Sequence, residues 1–252
     1  MHALGVVAAA WQWNAAGLIC CAALLLLYVG LGVWRSPRHL VVFLAAEAMI
    51  AVVVCSPLDA LAREYLLSAE ALERIALAQL APYLLLFAIP QRPGRGRISL
   101  DYRIAWIAGM GAITLWFIPQ PLDWALSSEP ARLVEFATLI AGGMAFWWPI
   151  HSPLLGSRIP LVPKSLFYLA TATIWISIEG LFLAFGPPGR YLHYVVPADT
   201  LHIYTSLIQD WSLTREYDQQ TGGLLFWIIA GFIVLSEVML VYWRWCSAEG
   251  RP

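Results

Sequence analysis

The sequence predicts an all-α fold, a polytopic membrane bundle of seven transmembrane helices with its N-terminus outside. Three observations predict it. The 252 residues are 60% hydrophobic and only 12% charged, with a mean hydropathy of +0.70, whereas a soluble domain carries about 25% charge. The apolar residues gather into runs near the roughly 20 residues that cross a bilayer. The basic residues are divided unevenly between the segments that join those runs, which sets orientation. A chain this apolar cannot keep a fully wetted surface, so a soluble enzyme is excluded. Four cysteines spread over the chain exclude a disulfide-stapled domain, and a net charge of −1 points to no nucleic-acid partner.

The runs follow one another from the N-terminus. They span about Trp11 to Trp34, Leu40 to Ser56, Leu72 to Ile89 (holding Gln79 and Pro82), Ile104 to Ile118, Leu133 to Ile150, Leu166 to Phe185 and Leu224 to Trp243. Neither Lys nor Arg precedes Arg35, so the positive start of a secretory signal is missing. Trp11 and Trp13 suit an interfacial belt. Arg35, Arg38, Arg92, Arg95, Arg97, Arg103, Arg158, Lys164, Arg244 and Arg251 fall on one side, and Arg63, Arg74, Arg132, Arg190 and Arg215 on the other. The richer side is cytoplasmic by the positive-inside rule. Residues 1–252 form one integral-membrane domain, with an outer loop over 186–223. Tyr191, His193, Tyr194, His202, Tyr204, Trp211 and Tyr217 make that loop aromatic, as suits a lid in the headgroup region.

Ionisable groups inside spans are costly and mark candidate sites. Glu47, Glu179 and Glu237 are expected to be hydrogen-bond partners of neighbouring helices. Glu135, near Arg132 at the outer end of the fifth span, is a stronger site candidate. Sulfur ligands select Cu(I), and Cys21 with Met49 is the one conceivable copper pair, although a buried thiol serves more often as a small hydrophobe. His193 and His202 are expected to hydrogen-bond within the loop rather than hold a metal. No nucleophile–base pair, phosphate-binding glycine loop or zinc spacing occurs.

Three strings carry more information. The first is Ser56-Pro57-Leu58-Asp59, with Tyr65-Leu66-Leu67-Ser68-Ala69 and Leu80-Ala81-Pro82 after it. The second is Phe146-Trp147-Trp148-Pro149, followed by Pro153-Leu154. The third is Asp218-Gln219-Gln220-Thr221-Gly222-Gly223-Leu224, ending in Trp227. Together, from about Arg35 to Trp243, they resemble the CtaG-type cytochrome c oxidase assembly factors. The resemblance implies a bacterial inner-membrane protein that helps copper reach a haem–copper oxidase from the outer face. It also implies histidines at positions occupied here by Glu70, Arg74, Phe117, Arg132 and Phe136; of that pattern only the intervening acid, Glu135, remains. Arg has no lone pair to offer a metal and Phe has no ligand atom. Glu70 and Arg74 are spaced i, i+4, and Arg132 and Glu135 i, i+3, which suits ion pairs. A charge network in place of a metal site is therefore expected.

Of the remaining motif residues, Asp218 is expected to cap the helix that follows it. Gln219 and Gln220 are expected to bond neighbouring helix ends or a partner, and Gly222 and Gly223 to permit a turn or a close helix contact. Trp147 and Trp148, before Pro149, are expected to anchor a helix at the cytoplasmic interface. The expected function is non-enzymatic: a membrane scaffold that binds an oxidase subunit or another assembly factor, surrounded by lipid and without a resident cofactor. The alternatives are a permanent accessory subunit of a respiratory complex and a copper carrier that uses other ligands.

Overall fold

The computed structural model describes residues 11, 13–32, 36–89, 100–151, 162–187, 189–195, 198–209 and 211–249. Trp34, Arg35, Arg92, Arg95, Arg97, Arg158, Asp210 and Arg251 lie outside these, and with them six of the ten basic residues on the richer side of the predicted orientation. Among the described residues the chain is helical and contains no strand.

Helix α1 covers Ala15–Gly30, started by the Asn14 side chain, which accepts from the Gly17 amide at 3.2 Å. Gly32, at φ +66°, takes the left-handed conformation that ends helices. Helix α2, Pro37–Val54, opens on a proline, which costs nothing at a position whose amide has no helical partner. Helix α3, Pro57–Glu64, is short; the Ser56 hydroxyl accepts from the Leu58 amide at 3.2 Å. The Ser-Pro string is thus a helix start.

Helix α4 runs over Leu67–Ala88 and is the most enclosed of the long helices, with 72% of its apolar window buried. Pro82 cannot donate to the ladder, and just before it Ala76–Leu80 forms a π turn in which the Ala81 amide reaches the Ala76 carbonyl. Helix α5, Tyr102–Phe117, and helix α6, Pro119–Ser127, are bent 75° apart, because a proline disfavours helical backbone in the residue before it. Helices α7, Glu129–His151, and α8, Val162–Ala184, each have 23 residues. Two short helices follow, α9 at Leu192–Val195 and α10 at Tyr204–Gln209. Helix α11 starts at Arg215–Leu225 and passes through a π turn at Phe226–Ala230 into Gly231–Glu249.

Five of these helices (α2, α4, α7, α8 and α11) are long and apolar enough to cross a membrane, and the bent α5–α6 pair makes a sixth. The first of the seven predicted runs forms α1, whose 16 residues rise about 24 Å, less than a bilayer's roughly 30 Å core. The predicted outer loop is also shorter than its sequence suggests, because α11 begins at Arg215 inside it. The polar first turns of α11 pack against α4 and α8, a partner that hydropathy alone does not register.

Trp147 departs from expectation most clearly. It is fully buried (0% exposed) and its indole N–H donates to the Gln79 carbonyl in the π turn of α4 at 3.1 Å. It therefore locks α7 to α4 instead of anchoring at an interface. Trp148 is half-buried and Pro149 is buried within α7. Pro149 removes one donor from the ladder, and the Tyr168 hydroxyl of α8 donates to the nearby Phe146 carbonyl at 2.8 Å. Trp147→Phe keeps the ring but strands the Gln79 carbonyl in a dry core. The expected loss is about 1–2 kcal/mol, read as a lower thermal midpoint in detergent; an unchanged midpoint would show that the carbonyl has another donor.

The membrane glutamates bridge helices. Glu179 of α8 accepts from Trp175 Nε1 at 2.9 Å and from the Thr114 hydroxyl of α5. Glu237 of α11 accepts from the Tyr83 hydroxyl of α4 at 3.2 Å and lies 3.0 Å from His151 Nε2 of α7. Glu47 of α2 stands beside Cys21 of α1, and its Oε2 is buried with no hydrogen-bond partner among the described residues. Cys21 and Met49 are both partly buried against the main core, and all four cysteines are free thiols.

Candidate functional site

The six candidate positions, Glu70, Arg74, Phe117, Arg132, Glu135 and Phe136, meet at one end of the bundle, where α4 and α7 begin, and Asp59 and Glu73 join them. Glu70, Glu73 and Arg74 come from the first two turns of α4, Arg132 and Glu135 from the first turns of α7, and Asp59 from α3. Spacing explains the geometry: Glu70, Glu73 and Arg74 fall at i, i+3 and i+4 and so share one helix face, as Arg132 and Glu135 do.

Arg132 is the hub. It grips Glu70 with both terminal nitrogens, Nη1 to Oε1 and Nη2 to Oε2, at 3.0 Å each, the forked geometry that a guanidinium is built for. Its Nη1 also donates to Glu135 Oε2 at 2.7 Å, and its Nη2 to Glu73 Oε2 at 2.8 Å and Asp59 Oδ1 at 3.2 Å. Arg74 donates through Nε (3.1 Å) and Nη2 (2.9 Å) to Glu135 Oε1, and its Nη2 lies 3.0 Å from Glu70 Oε1. Glu70, Arg132 and Glu135 have no exposed surface and Asp59 has only 5%. The charges are therefore a dry network and not a solvated rim. Asn14 extends it, with its amide donating to Asp59 Oδ2 at 2.8 Å. Burial holds the Asp59 carboxyl above its ordinary pKa, against the pull of Arg132.

The two phenylalanines, inert as metal ligands, have a part in this arrangement. The Arg74 guanidinium carbon lies 4.8 Å from the Phe117 ring centre, and that of Arg132 lies 4.8 Å from the Phe136 ring centre, within the range of cation–π attraction. Of the five positions where the resemblance implies histidine, one is therefore an acid and the other four form two arginine–phenyl pairs. Asp59 figured in sequence only as the end of the Ser56-Pro57-Leu58-Asp59 string and not as a site candidate, and Glu73 and Asn14 were not singled out. For Glu73 the signal was available, since it shares the face of Glu70 and Arg74.

The predicted outer loop closes over this cluster. Tyr194 Oη donates to the Ala62 carbonyl at 2.6 Å and Tyr191 Oη to the Phe117 carbonyl at 2.9 Å. Burial keeps the Tyr194 phenol well above its ordinary pKa, with the nearby charge of Glu70 adding to the effect, so it stays a donor. Ile203 and Leu207 pack on Ala62, Tyr65, Leu66 and Ala69. His193 Nε2 lies 2.7 Å from the Arg63 carbonyl, so this ring bonds the neighbouring α3. His202 is exposed with φ +54°.

The Asp-Gln-Gln-x-Gly-Gly string clamps three helices. Asp218 does not cap its own helix, which the Thr214 hydroxyl starts by accepting from Tyr217 N at 3.3 Å. It sits one turn inside α11 and caps α4 instead: Oδ2 accepts from Leu67 N at 2.7 Å, and Oδ1 accepts from Ser68 N at 3.1 Å and the Ser68 hydroxyl at 2.5 Å. Gly222, four residues on, lies against the same turn; a Cβ there would stand 3.2 Å from Leu67 O. Gln219 Nε2 donates to the Leu183 carbonyl in the last turn of α8 and to the Gly186 carbonyl just beyond it, at 3.1 and 3.0 Å. A Cβ on Gly223 would stand 2.4 Å from Ala184 N. Two i, i+4 pairs thus face two helices, Asp218 with Gly222 on α4 and Gln219 with Gly223 on α8; Gln220 is half-buried.

This donor set does not suit copper. A soft or borderline metal wants imidazole or thiolate, and here the carboxylates already serve two permanent cations. Among the described residues no three His, Cys, Asp or Glu side chains converge on one metal position.

A bundle of apolar helices closed at one end over a buried, ion-paired charge cluster defines a multi-span membrane protein. Residues 23–248 match the family model for the cytochrome c oxidase caa3 assembly factor (Caa3_CtaG). The chain belongs to that family, and its role lies in cytochrome c oxidase assembly. No curated protein and no solved structure matches it.

Proposed function

We propose that this chain is a non-catalytic scaffold for assembly of a haem–copper oxidase, and that it does not itself donate copper. It crosses a bacterial cytoplasmic membrane seven times with its N-terminus outside, and it binds an immature oxidase subunit or another assembly factor. The buried Arg132 hub carries this reading. Its guanidinium stands among four carboxylates at a position where the family resemblance implies a metal ligand. The guanidinium there holds the mouth of the bundle together and takes up carboxylate oxygens that a metal would need, which leaves the family's shape without its ligand chemistry.

Affinity purification of the tagged full chain from its host tests this. The expected partner is oxidase lacking its full metal complement, with no stoichiometric copper on the purified chain. Fixed stoichiometry with mature, active oxidase would make it an accessory subunit instead. Copper bound one to one, and lost in Cys21→Ala or Glu135→Ala, would make it a carrier. A reporter enzyme fused to the C-terminus is expected to be active only when it is a cytoplasmic type; periplasmic activity would overturn the orientation.

A further inference from the structure

At the end of the bundle opposite the charge network, α5 and α8 both begin, and an open groove lies between them. The Tyr102 and Tyr168 rings, 5.6 Å apart, and the Trp106 and Trp175 rings, 5.7 Å apart, bridge the two helices. Arg103 stands on the α5 side of the groove and Lys164 on the α8 side. Both are exposed, and among the described residues neither side chain has an ion-pair partner. The one acid in the lining, Asp101, caps α5 by accepting from Arg103 N at 2.8 Å. Further along the helices the walls turn apolar, with Ile107 65% and Phe167 72% exposed. The indole N–H of Trp106 is shielded from solvent and has no hydrogen-bond partner.

We propose that this groove binds an anionic phospholipid, with its phosphodiester between Arg103 and Lys164 and its acyl chains against Ile107 and Phe167. The order of chemistries supports a lipid over a free anion. Two cations flank the helix starts, where the helix dipoles also favour negative charge. Tyr102 and Trp106 come next, amphipathic rings of the kind that occupy the headgroup boundary, and the aliphatic and phenyl surface lies deepest. Basic pockets between spans hold acidic headgroups by the same means. The inference does not rest on the proposed assembly role or on which leaflet this end faces.

Native mass spectrometry of the full chain in detergent, mixed with equal amounts of phosphatidylglycerol and phosphatidylcholine, tests it. The wild type is expected to retain phosphatidylglycerol preferentially. Arg103→Gln or Lys164→Gln is expected to weaken that retention about fivefold, and the pair about thirtyfold, with phosphatidylcholine unchanged. Arg38→Gln, an exposed cation at the start of α2, serves as the control and is expected to change neither. Equal retention of the two lipids by the wild type would overturn the proposal, as would a preference that survives the double change or an equal loss in Arg38→Gln. Displacement of the lipid by an equal concentration of inorganic phosphate would show a free-anion site and also overturn it. Because both side chains are exposed, a matching thermal midpoint for the double variant confirms that it folds.

Discussion

Arg132→Ala is expected to destabilise the bundle by about 3–5 kcal/mol, the cost of removing one partner from a buried ion pair. The estimate leans to the upper end because the deletion strands more than one group. Glu70 loses a two-bond grip, Glu73 and Asp59 lose their guanidinium, and Glu135 keeps only Arg74. None of these carboxyls has water to turn to, since all are at least 95% buried. The visible result is a much lower yield of monodisperse protein and a thermal midpoint depressed by roughly 10 °C or more, given about 2–4 °C per kcal/mol at this size. Arg132→Lys separates charge from geometry. A lysine keeps the positive charge but cannot fork, so a smaller loss of about 1–2 kcal/mol is expected. Equal stability of all three proteins would show that the cluster does not organise this end of the molecule.

Asp218→Ala is expected to cost about 3 kcal/mol. The carboxylate satisfies two backbone amides at the start of α4, and a buried cap lost with its donors left unpaired costs the cap and part of the desolvation. Asp218→Asn retains one acceptor oxygen, so it is expected to recover roughly half of that. Hydrogen exchange at Leu67 and Ser68 gives the local readout: faster exchange in Asp218→Ala is expected. Exchange as slow as in the wild type would assign the cap to another group.

Much of the site was legible from local spacing. Glu70 with Arg74 and Arg132 with Glu135 are pairs within single helices, so the sequence states their geometry directly. Their convergence came from the family resemblance and not from periodicity. Asp59 was out of reach because it lies on a separate short helix, and only packing brings it to Arg132. Trp147 was misplaced for a similar reason. Tryptophan near the end of an apolar run fits an interface, and nothing in the neighbouring residues reveals that a π turn on another helix offers it a carbonyl. Asp218 was assigned to the nearest helix start in sequence, whereas its amides lie on a segment some 150 positions earlier. Hydropathy located the long helices well. It could not see the 75° break after Phe117 or the early start of α11, because both depend on what the chain packs against.

The cap from Asp218 onto Leu67 also orders events during synthesis. A nascent chain folds from its N-terminus, so helices α1 to α8 are made while the amides of α4 still lack their carboxylate and the loop tyrosines have not been polymerised. Until Asp218 has been added, the arginine hub lacks this seal, and a product truncated before it would carry those charges uncovered.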